Sequence, residues 1–227
     1  MTSAAGSCGG PAGTTSAGGA PTVEPSAAAS AASAIDGIPQ DGQKIGSASA
    51  PLTINLYQNF LCPHCRDFAL TMLPQLLADY VRPGKVAIQF HDTAFGGGPA
   101  DVAHEAARCA ADQGKFWPAY FAIYEAYSED ASAYTNANME SVLAPTGVDA
   151  QKLAACLDSN QHQAEVDATT AEFQNLPDNN PAYANALATV MAQQGPAIPL
   201  LDIGGTYITA PENYATVKAA IDAKLNQ

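Results

Sequence analysis

Two cysteines separated by two residues, Cys62 and Cys65, are the side chains whose type and spacing most directly allow chemistry in this sequence. Such a pair can close a small disulfide ring and reopen it by exchange with the thiols of another molecule. Pro63 and His64 lie between them. The His64 imidazole offers a hydrogen-bond donor or a positive charge beside the sulfur atoms, and either favours the thiolate. The spacing therefore predicts a redox-active dithiol.

The surrounding pattern puts this pair between a strand and a helix. Residues 52–57 alternate apolar and polar side chains and run into Phe60 and Leu61, which predicts a buried strand that ends at the first cysteine. Apolar side chains then recur at fourfold spacing, which predicts an amphipathic helix with Pro63 in its first turn. A helix N-terminus favours an anionic sulfur, so we expect the pKa of Cys62 to lie below about 8.5.

A structural zinc half-site is the other common use of a Cys-x-x-Cys pair. Zinc would need two more sulfur or imidazole ligands, usually from a second closely spaced pair. Cys109 and Cys156 lie far apart, and the remaining histidines are scattered: His91, His104 and His162. We therefore expect no bound metal, and no cofactor.

The rest of the chain predicts an α/β fold with a long helical segment. Residues 86–90 are apolar enough for a central parallel strand, which would complete a strand-helix-strand unit. Residues 101–194 are almost entirely helical in composition. Residues 200–208, with a Gly-Gly turn in the middle, predict a β-hairpin, and a closing helix follows.

Composition restricts the partners and the compartment. The 227 residues carry a formal net charge of −13, which repels phosphate backbones and argues against nucleic acid as a partner. No window is apolar enough for a membrane-spanning helix, and no export signal is visible. Five cysteines suit an oxidising compartment that pairs four and leaves Cys8 over. Cys8 is either a lipidation site or a passive linker thiol.

The segment Phe60-Leu61-Cys62-Pro63-His64-Cys65 resembles the active site of DsbA-type disulfide oxidoreductases, whose usual central dipeptide is Pro-His. The resemblance covers residues 37–227, and actinobacterial MdbA-like envelope proteins are closest in style. It implies a thioredoxin fold with a large inserted all-helical domain. The expected boundaries are a flexible tether at 1–34, a thioredoxin-like domain at 35–98 and 197–227, and the insertion at 99–196.

The resemblance also implies roles for individual residues. Cys62 would exchange with the client, Cys65 would resolve the mixed disulfide, and His64 would tune the pair. The family's cis-proline beside the dithiol corresponds to Pro199, preceded by Ile198 in the substrate groove. Pro196 is a rival for this position, but only Pro199 directly enters the strand at residues 200–203.

One position departs from the family. Many members carry a buried acid six residues before the first cysteine, where this chain has Leu56. Asp92 and Glu105 are candidate substitutes, although a solvated surface acid is the simpler interpretation of each. Some relatives also link two helices of the insertion by a disulfide, which would join Cys109 to Cys156 here. The alternative is a pair of separately buried thiols.

These features predict an enzyme that donates its disulfide to folding secreted proteins and is reoxidised by a DsbB-like or VKOR-like membrane partner. We expect a monomer in an extracytoplasmic location, secreted or in the cell envelope. Attachment through a lipid or through a segment outside this sequence remains open. A disulfide reductase or isomerase using the same dithiol is the first alternative, and a tethered binding protein with a vestigial dithiol is the second.

Overall fold

The computed structural model describes residues 33–176, 180, 181, 183, 184, 198–211 and 213–227. The predictions for Cys8, for Pro196 and for nearly all of the tether fall outside these residues. A six-stranded sheet lies at the centre of the described structure. Its strands are β1 (Gln40–Asp41), β2 (Lys44–Ile45), β3 (Leu52–Gln58), β4 (Val86–Asp92), β5 (Leu200–Ile203) and β6 (Thr206–Thr209). Their order across the sheet is β1-β2-β4-β3-β5-β6.

The middle of the sheet combines one parallel and one antiparallel pairing. β3 runs parallel to β4, with Leu56 opposite Phe90, and antiparallel to β5, with Leu56 opposite Leu201. All three of these side chains are buried, as expected for central strands covered on both faces. The predicted hairpin forms from β5 and β6, and pairs Ile203 with Thr206.

Gly46 allows the short N-terminal strands to lie close against this sheet. Its backbone has φ +118°, and a Cβ at this position would lie 2.9 Å from both the Cα of Ala87 and the carbonyl oxygen of Val86. A larger residue would therefore meet a backbone clash as well as an unfavourable conformation. β1 and β2 extend the sheet on the β4 side, and Ile45 is fully buried.

One long helix, α1, starts directly after Cys62 and contains Cys65 in its first turn. It runs from Pro63 to Val81 through α-helical segments (Pro63–Asp67, Leu73–Leu76) and π-helical segments (Phe68–Met72, Leu77–Val81). The further helices are α2 (Pro99–Ala111), α3 (Phe116–Glu125), α4 (Asn136–Leu143), α5 (Ala150–Ser159), α6 (Gln163–Gln174) and α7 (Tyr214–Leu225). The last of these is the predicted closing helix, with Val217 and Ile221 buried.

Helices α2 to α6 lie between β4 and β5 in the chain and form the predicted all-helical insertion, as far as residue 176 is described. The core of the insertion is aromatic. Phe116, Trp117, Tyr120 and Tyr124 on α3 are at most 1% exposed, which agrees with the expectation that this cluster is core. The predicted α/β fold with a helical insertion is therefore confirmed, whereas the exact domain boundaries remain a prediction.

Candidate active site

The redox pair lies where the connection from β3 meets α1, with Cys65 in the first turn of the helix. Cys62 is the N-cap of α1, with extended backbone angles of φ −94° and ψ 121°, and Pro63 is the first helical residue. The strand ends at Gln58, four residues earlier than the sequence pattern suggested, because the chain turns at Asn59, whose carbonyl oxygen accepts from the Cys62 N–H at 3.0 Å. Because of this turn, Cys62 lies at the N-terminal end of α1.

The two sulfur atoms are enclosed by protein. Cys62 is 1% exposed and Cys65 is 0% exposed, and both are present as thiols. Pro63 and His64 lie between them on the exposed side of the first helical turn. His64 therefore lies next to both cysteines in the sequence, and its side chain is in contact with solvent.

Ile198 and Pro199 come from the other end of the chain to this site. The Ile198–Pro199 peptide bond is cis, and both residues are buried. The Cys62 thiol donates to the Ile198 carbonyl oxygen, with a sulfur-to-oxygen distance of 3.9 Å. This contact joins positions 136 residues apart in the sequence and puts the Ile198 backbone directly against the first cysteine.

Gln58 is a site residue that the sequence analysis missed. Its side chain is fully buried at the end of β3. The amide nitrogen donates to the Cys65 carbonyl oxygen at 3.1 Å, and the amide oxygen accepts from the Tyr120 hydroxyl at 2.6 Å. A polar residue at the buried end of an otherwise apolar strand was the available signal, since such a group needs partners.

Asn59 and Tyr124 form a second hydrogen bond between the inserted domain and the residues that precede Cys62. The Tyr124 hydroxyl donates to the Asn59 carbonyl oxygen at 3.3 Å, and the same oxygen accepts the Cys62 N–H. The Asn59 side chain also accepts from the Leu61 N–H at 2.8 Å. Tyr120 and Tyr124 are four residues apart on α3, so they lie on one face of that helix. The inserted domain therefore bonds to Gln58 and Asn59, the two residues that lead from β3 toward Cys62.

Burial dominates the chemistry of the two tyrosines. It raises the pKa of Tyr120 well above its ordinary value, and the nearby Cys65 raises it further. The pKa of Tyr124 is raised for the same reasons, with Tyr120 and Cys62 contributing. Both hydroxyls consequently remain protonated in the range where cysteine thiols ionise, and they act only as neutral donors.

The two acidic residues Asp92 and Glu105 are not surface residues, contrary to the interpretation of the sequence. Asp92 and Glu105 were expected to be solvated surface acids, but they are 0% and 2% exposed. Asp92 ends β4 and accepts hydrogen bonds from Gln43, His104 and Arg108 at 3.0, 2.8 and 2.8 Å. The partners that make this burial acceptable come from distant parts of the chain, so the sequence pattern around Asp92 does not reveal it.

The environment of Asp92 favours the carboxylate. Burial by itself would raise the pKa of Asp92, but the His104 hydrogen bond and the charges of His104 and Arg108 outweigh it and hold the pKa below its ordinary value. Arg108 also pairs with Glu165 of α6. Asp92 is thus the centre of a buried ionic cluster that links β4 to α2 and, through Arg108, to α6.

A disulfide joins Cys109 of α2 to Cys156 of α5, with an S–S distance of 2.00 Å. Glu105 lies beside it, with a carboxylate oxygen 3.8 Å from the Cys109 sulfur and 2.8 Å from the His162 backbone nitrogen. Burial raises the pKa of Glu105. Within the described residues, two groups have spacings that a metal ion could use, and both include Cys156: Glu105, Cys109 and Cys156, and Asp112, Cys156 and His162. A sulfur in a disulfide is not a thiolate ligand.

Comparison with known proteins identifies a family and two relatives of this chain. A family model described as thioredoxin matches residues 40–223. The protein described as "Probable disulfide bond formation protein D" from Bacillus anthracis is 32% identical over 94 residues, which are 40% of this chain and 43% of the relative. The protein of the same description from Bacillus cereus is also 32% identical over 94 residues, or 40% and 44% of the two chains. The alignments thus span less than half of these relatives.

Solved structures share the fold over most of the chain. Oxidised BdbD from Bacillus subtilis has a TM-score of 0.64 at 19% identity, and the match covers 82% of this chain and 94% of that one. DsbA from Chlamydia trachomatis has a TM-score of 0.66 at 14% identity, with 80% and 90% covered. These likenesses confirm the predicted thioredoxin fold with its helical insertion. No helix in the described part of the chain is long and apolar enough to span a bilayer.

Proposed function

The chain belongs to the thioredoxin family, and from this premise we propose that it is a protein thiol-disulfide oxidoreductase that donates a Cys62–Cys65 disulfide to folding secreted proteins. The observation that carries the proposal is the position of the dithiol. Cys62 caps the N-terminus of α1, and its sulfur lies 3.9 Å from the Ile198 carbonyl oxygen. The partial likeness to disulfide bond formation protein D supports the same function.

The proposed reaction is two successive thiol-disulfide exchanges. A client thiolate attacks the Cys62 sulfur of the oxidised pair, and a client–Cys62 disulfide forms while Cys65 leaves as a thiolate that takes up a proton. A second client thiolate then attacks the client sulfur of this mixed disulfide, and Cys62 leaves. The client loses two electrons, which the Cys62–Cys65 pair gains.

The residues around Cys62 support its role as the exchanging sulfur. The N-terminal end of a helix stabilises a thiolate, which makes Cys62 a good leaving group in the second exchange. The Ile198 backbone, next to Pro199, lies against Cys62, which supports its proposed role of pairing with an extended client segment. His64, in the exposed first turn, would add to the stabilisation of the thiolate.

Continuous turnover requires a partner that removes the two electrons from the reduced pair. We propose a membrane reoxidising partner of the DsbB-like or VKOR-like class, and an extracytoplasmic location where disulfides persist. We also propose that the enzyme works as a monomer on its clients. The structural disulfide between Cys109 and Cys156 suits an oxidising compartment.

A redox titration against glutathione tests this function. The protein would be equilibrated with mixtures of reduced and oxidised glutathione, and the Cys62–Cys65 state read by acid quench, alkylation and mass spectrometry. A potential at or above about −200 mV suits an oxidase, whereas one near about −270 mV would indicate a reductase. The oxidised protein should also restore disulfides to reduced ribonuclease, and a Cys62→Ser variant should not. A reductase-like potential without ribonuclease oxidation would refute the proposal.

A further inference from the structure

The Gln58 side chain lies between the second cysteine and the inserted domain. The Cys65 carbonyl oxygen can only accept a hydrogen bond, so the Gln58 amide nitrogen must face it, at 3.1 Å. The amide oxygen then faces the Tyr120 hydroxyl at 2.6 Å, and the phenol must be the donor. The direction of both hydrogen bonds is therefore fixed by the chemistry of the groups.

The outer end of this chain of contacts is rigid. Tyr120 is fully buried on α3, where its ring packs against Trp117 at 5.1 Å and against Phe90 of β4 at 5.7 Å between ring centroids. A side chain held on several sides has little rotational freedom. Gln58 is also fully buried, and it ends the central strand β3. The Cys65 backbone is thus tied to two well-packed elements.

The connection carries no charge. An amide does not titrate, and burial raises the pKa of Tyr120 well above its ordinary value. The position six residues before Cys62 holds Leu56, which is also buried and apolar. Gln58 and Tyr120 therefore have no means of accepting the Cys65 proton near neutral pH, and their contribution to the reaction must be geometric.

We propose that Gln58 and Tyr120 are positioning residues for Cys65, and that they hold it within reach of the Cys62 mixed disulfide. This inference rests on the proposed exchange chemistry. The step concerned is the reverse of the first proposed exchange, in which a thiol bound to Cys62 as a mixed disulfide is released. The Cys65 thiolate attacks the Cys62 sulfur, the Cys62–Cys65 bond forms, and the bound thiol leaves with the electron pair and is protonated. The rate of such an intramolecular attack depends on how well the two groups are held.

The test measures this step directly with glutathione. Reduced protein is mixed with saturating oxidised glutathione, which forms the Cys62–glutathione disulfide, and acid quench with mass spectrometry follows its decay by Cys65 attack. Tyr120→Phe removes the phenol donor and Gln58→Leu removes the amide. Each should slow the decay by about tenfold, and the double variant should be no slower than either alone, because breaking the chain of contacts once is enough.

Two controls separate positioning from general damage. Tyr134→Phe removes another buried phenol of the inserted domain, whose hydroxyl bonds to the Ser128 backbone, and it should decay at the wild-type rate. In a Cys65→Ser background, the same mixed disulfide can be opened only by added dithiothreitol. That rate reports the reactivity at Cys62, and we expect Tyr120→Phe and Gln58→Leu to leave it unchanged.

The conservative variant Gln58→Glu tests the same hydrogen bond through the pH dependence of the decay rate. In Gln58→Glu, a protonated carboxyl can donate to the Cys65 carbonyl oxygen, whereas an ionised one cannot. Its decay rate relative to wild type should therefore fall as the pH rises. Two results would overturn this inference and leave the proposed function standing. One is a wild-type decay rate in Tyr120→Phe and Gln58→Leu, and the other is a dithiothreitol reaction that these variants slow as much as they slow the decay. Absence of any decay in the wild-type protein would instead refute the proposed function.

Discussion

At the scale of single residues, the reactivity of Cys62 depends on what surrounds one sulfur atom. Cys62 caps α1, and its thiol donates to the Ile198 carbonyl oxygen. The helix terminus favours the thiolate, and His64 follows two residues later in the exposed first turn. The carbonyl contact has the opposite tendency, because an acceptor stabilises the protonated thiol. The balance of these effects decides how good a leaving group Cys62 is.

We expect the helix terminus and His64 to prevail. In a Cys65→Ser background, the pH dependence of iodoacetamide alkylation should give a Cys62 pKa clearly below the ordinary value of about 8.5. His64→Ala should raise this pKa by roughly one unit and slow alkylation near neutral pH. An unaltered pKa in His64→Ala would leave the helix terminus as the cause, and a wild-type pKa near 8.5 would contradict the thiolate argument itself.

At the scale of elements, the ionic cluster around Asp92 fixes the inserted domain to the sheet. His104 and Arg108 are four residues apart on α2 and therefore lie on one helix face. Both reach the Asp92 carboxylate at the end of β4. A buried carboxylate without partners would be strongly destabilising, so the docking of α2 and the burial of Asp92 depend on each other.

Asp92→Asn should lower the free energy of unfolding by about 3 kcal/mol at neutral pH, because it leaves two buried donors without their anion. Since the folded-state pKa of Asp92 is depressed, this stabilisation is fully present above the unfolded-state pKa of about 4. It is lost as the pH falls through the lower folded-state value.

The measurement for this prediction is urea unfolding at a series of pH values, followed by the fluorescence of Trp117, the single tryptophan in the sequence. The difference between wild type and Asp92→Asn should shrink below about pH 4. Asp158→Asn, at an exposed position on α5, is the matched control and should change stability by less than about 0.5 kcal/mol. A pH-independent difference would show that the carboxylate charge is not what matters.

At the scale of the whole molecule, the redox pair is built from several distant parts of the chain. The start of α1 supplies the cysteines, and β3 supplies Gln58. α3 of the insertion supplies Tyr120 and Tyr124, and the segment before β5 supplies Ile198. The insertion therefore contributes side chains to the candidate active site. The Cys109–Cys156 disulfide closes a loop within the insertion.

Removing that disulfide should destabilise the protein without altering the exchange chemistry of Cys62. The two cysteines are 47 residues apart, and closing a loop of this size contributes about 4 kcal/mol in the chain-entropy model. A Cys109→Ala, Cys156→Ala double variant should show a correspondingly lower urea midpoint by Trp117 fluorescence. Its rate of Cys62 alkylation should match that of wild type.

The two disulfides should also differ in their resistance to reductant. Non-reducing peptide mapping after graded dithiothreitol treatment should find Cys109 still joined to Cys156 at concentrations that open Cys62–Cys65. If both bonds opened at the same dithiothreitol concentration, that result would contradict a purely structural role for the Cys109–Cys156 disulfide.

Local patterns in the sequence determined the elements that carry the chemistry. The alternation in β3, the fourfold spacing in α1 and the Gly-Gly turn between β5 and β6 are properties of neighbouring residues. Each predicted its element, although β3 ends at Gln58 and not at the first cysteine. The same strand and helix patterns placed the Cys-x-x-Cys dithiol at a helix start. Periodicity is a short-range signal, because it reflects which face of one element is buried.

Tertiary structure decided which distant groups surround the dithiol. Gln58 and Tyr120 are 62 positions apart, and Cys62 and Ile198 are 136 apart, so no local pattern connects them. Asp92 follows the strand predicted at residues 86–90 and looks like a surface acid in the sequence. It is in fact the last residue of β4, and it is buried because α2 brings His104 and Arg108 to it. Whether a polar side chain is solvated or paired depends on what packs against it, and packing between elements is fixed only when the whole chain folds.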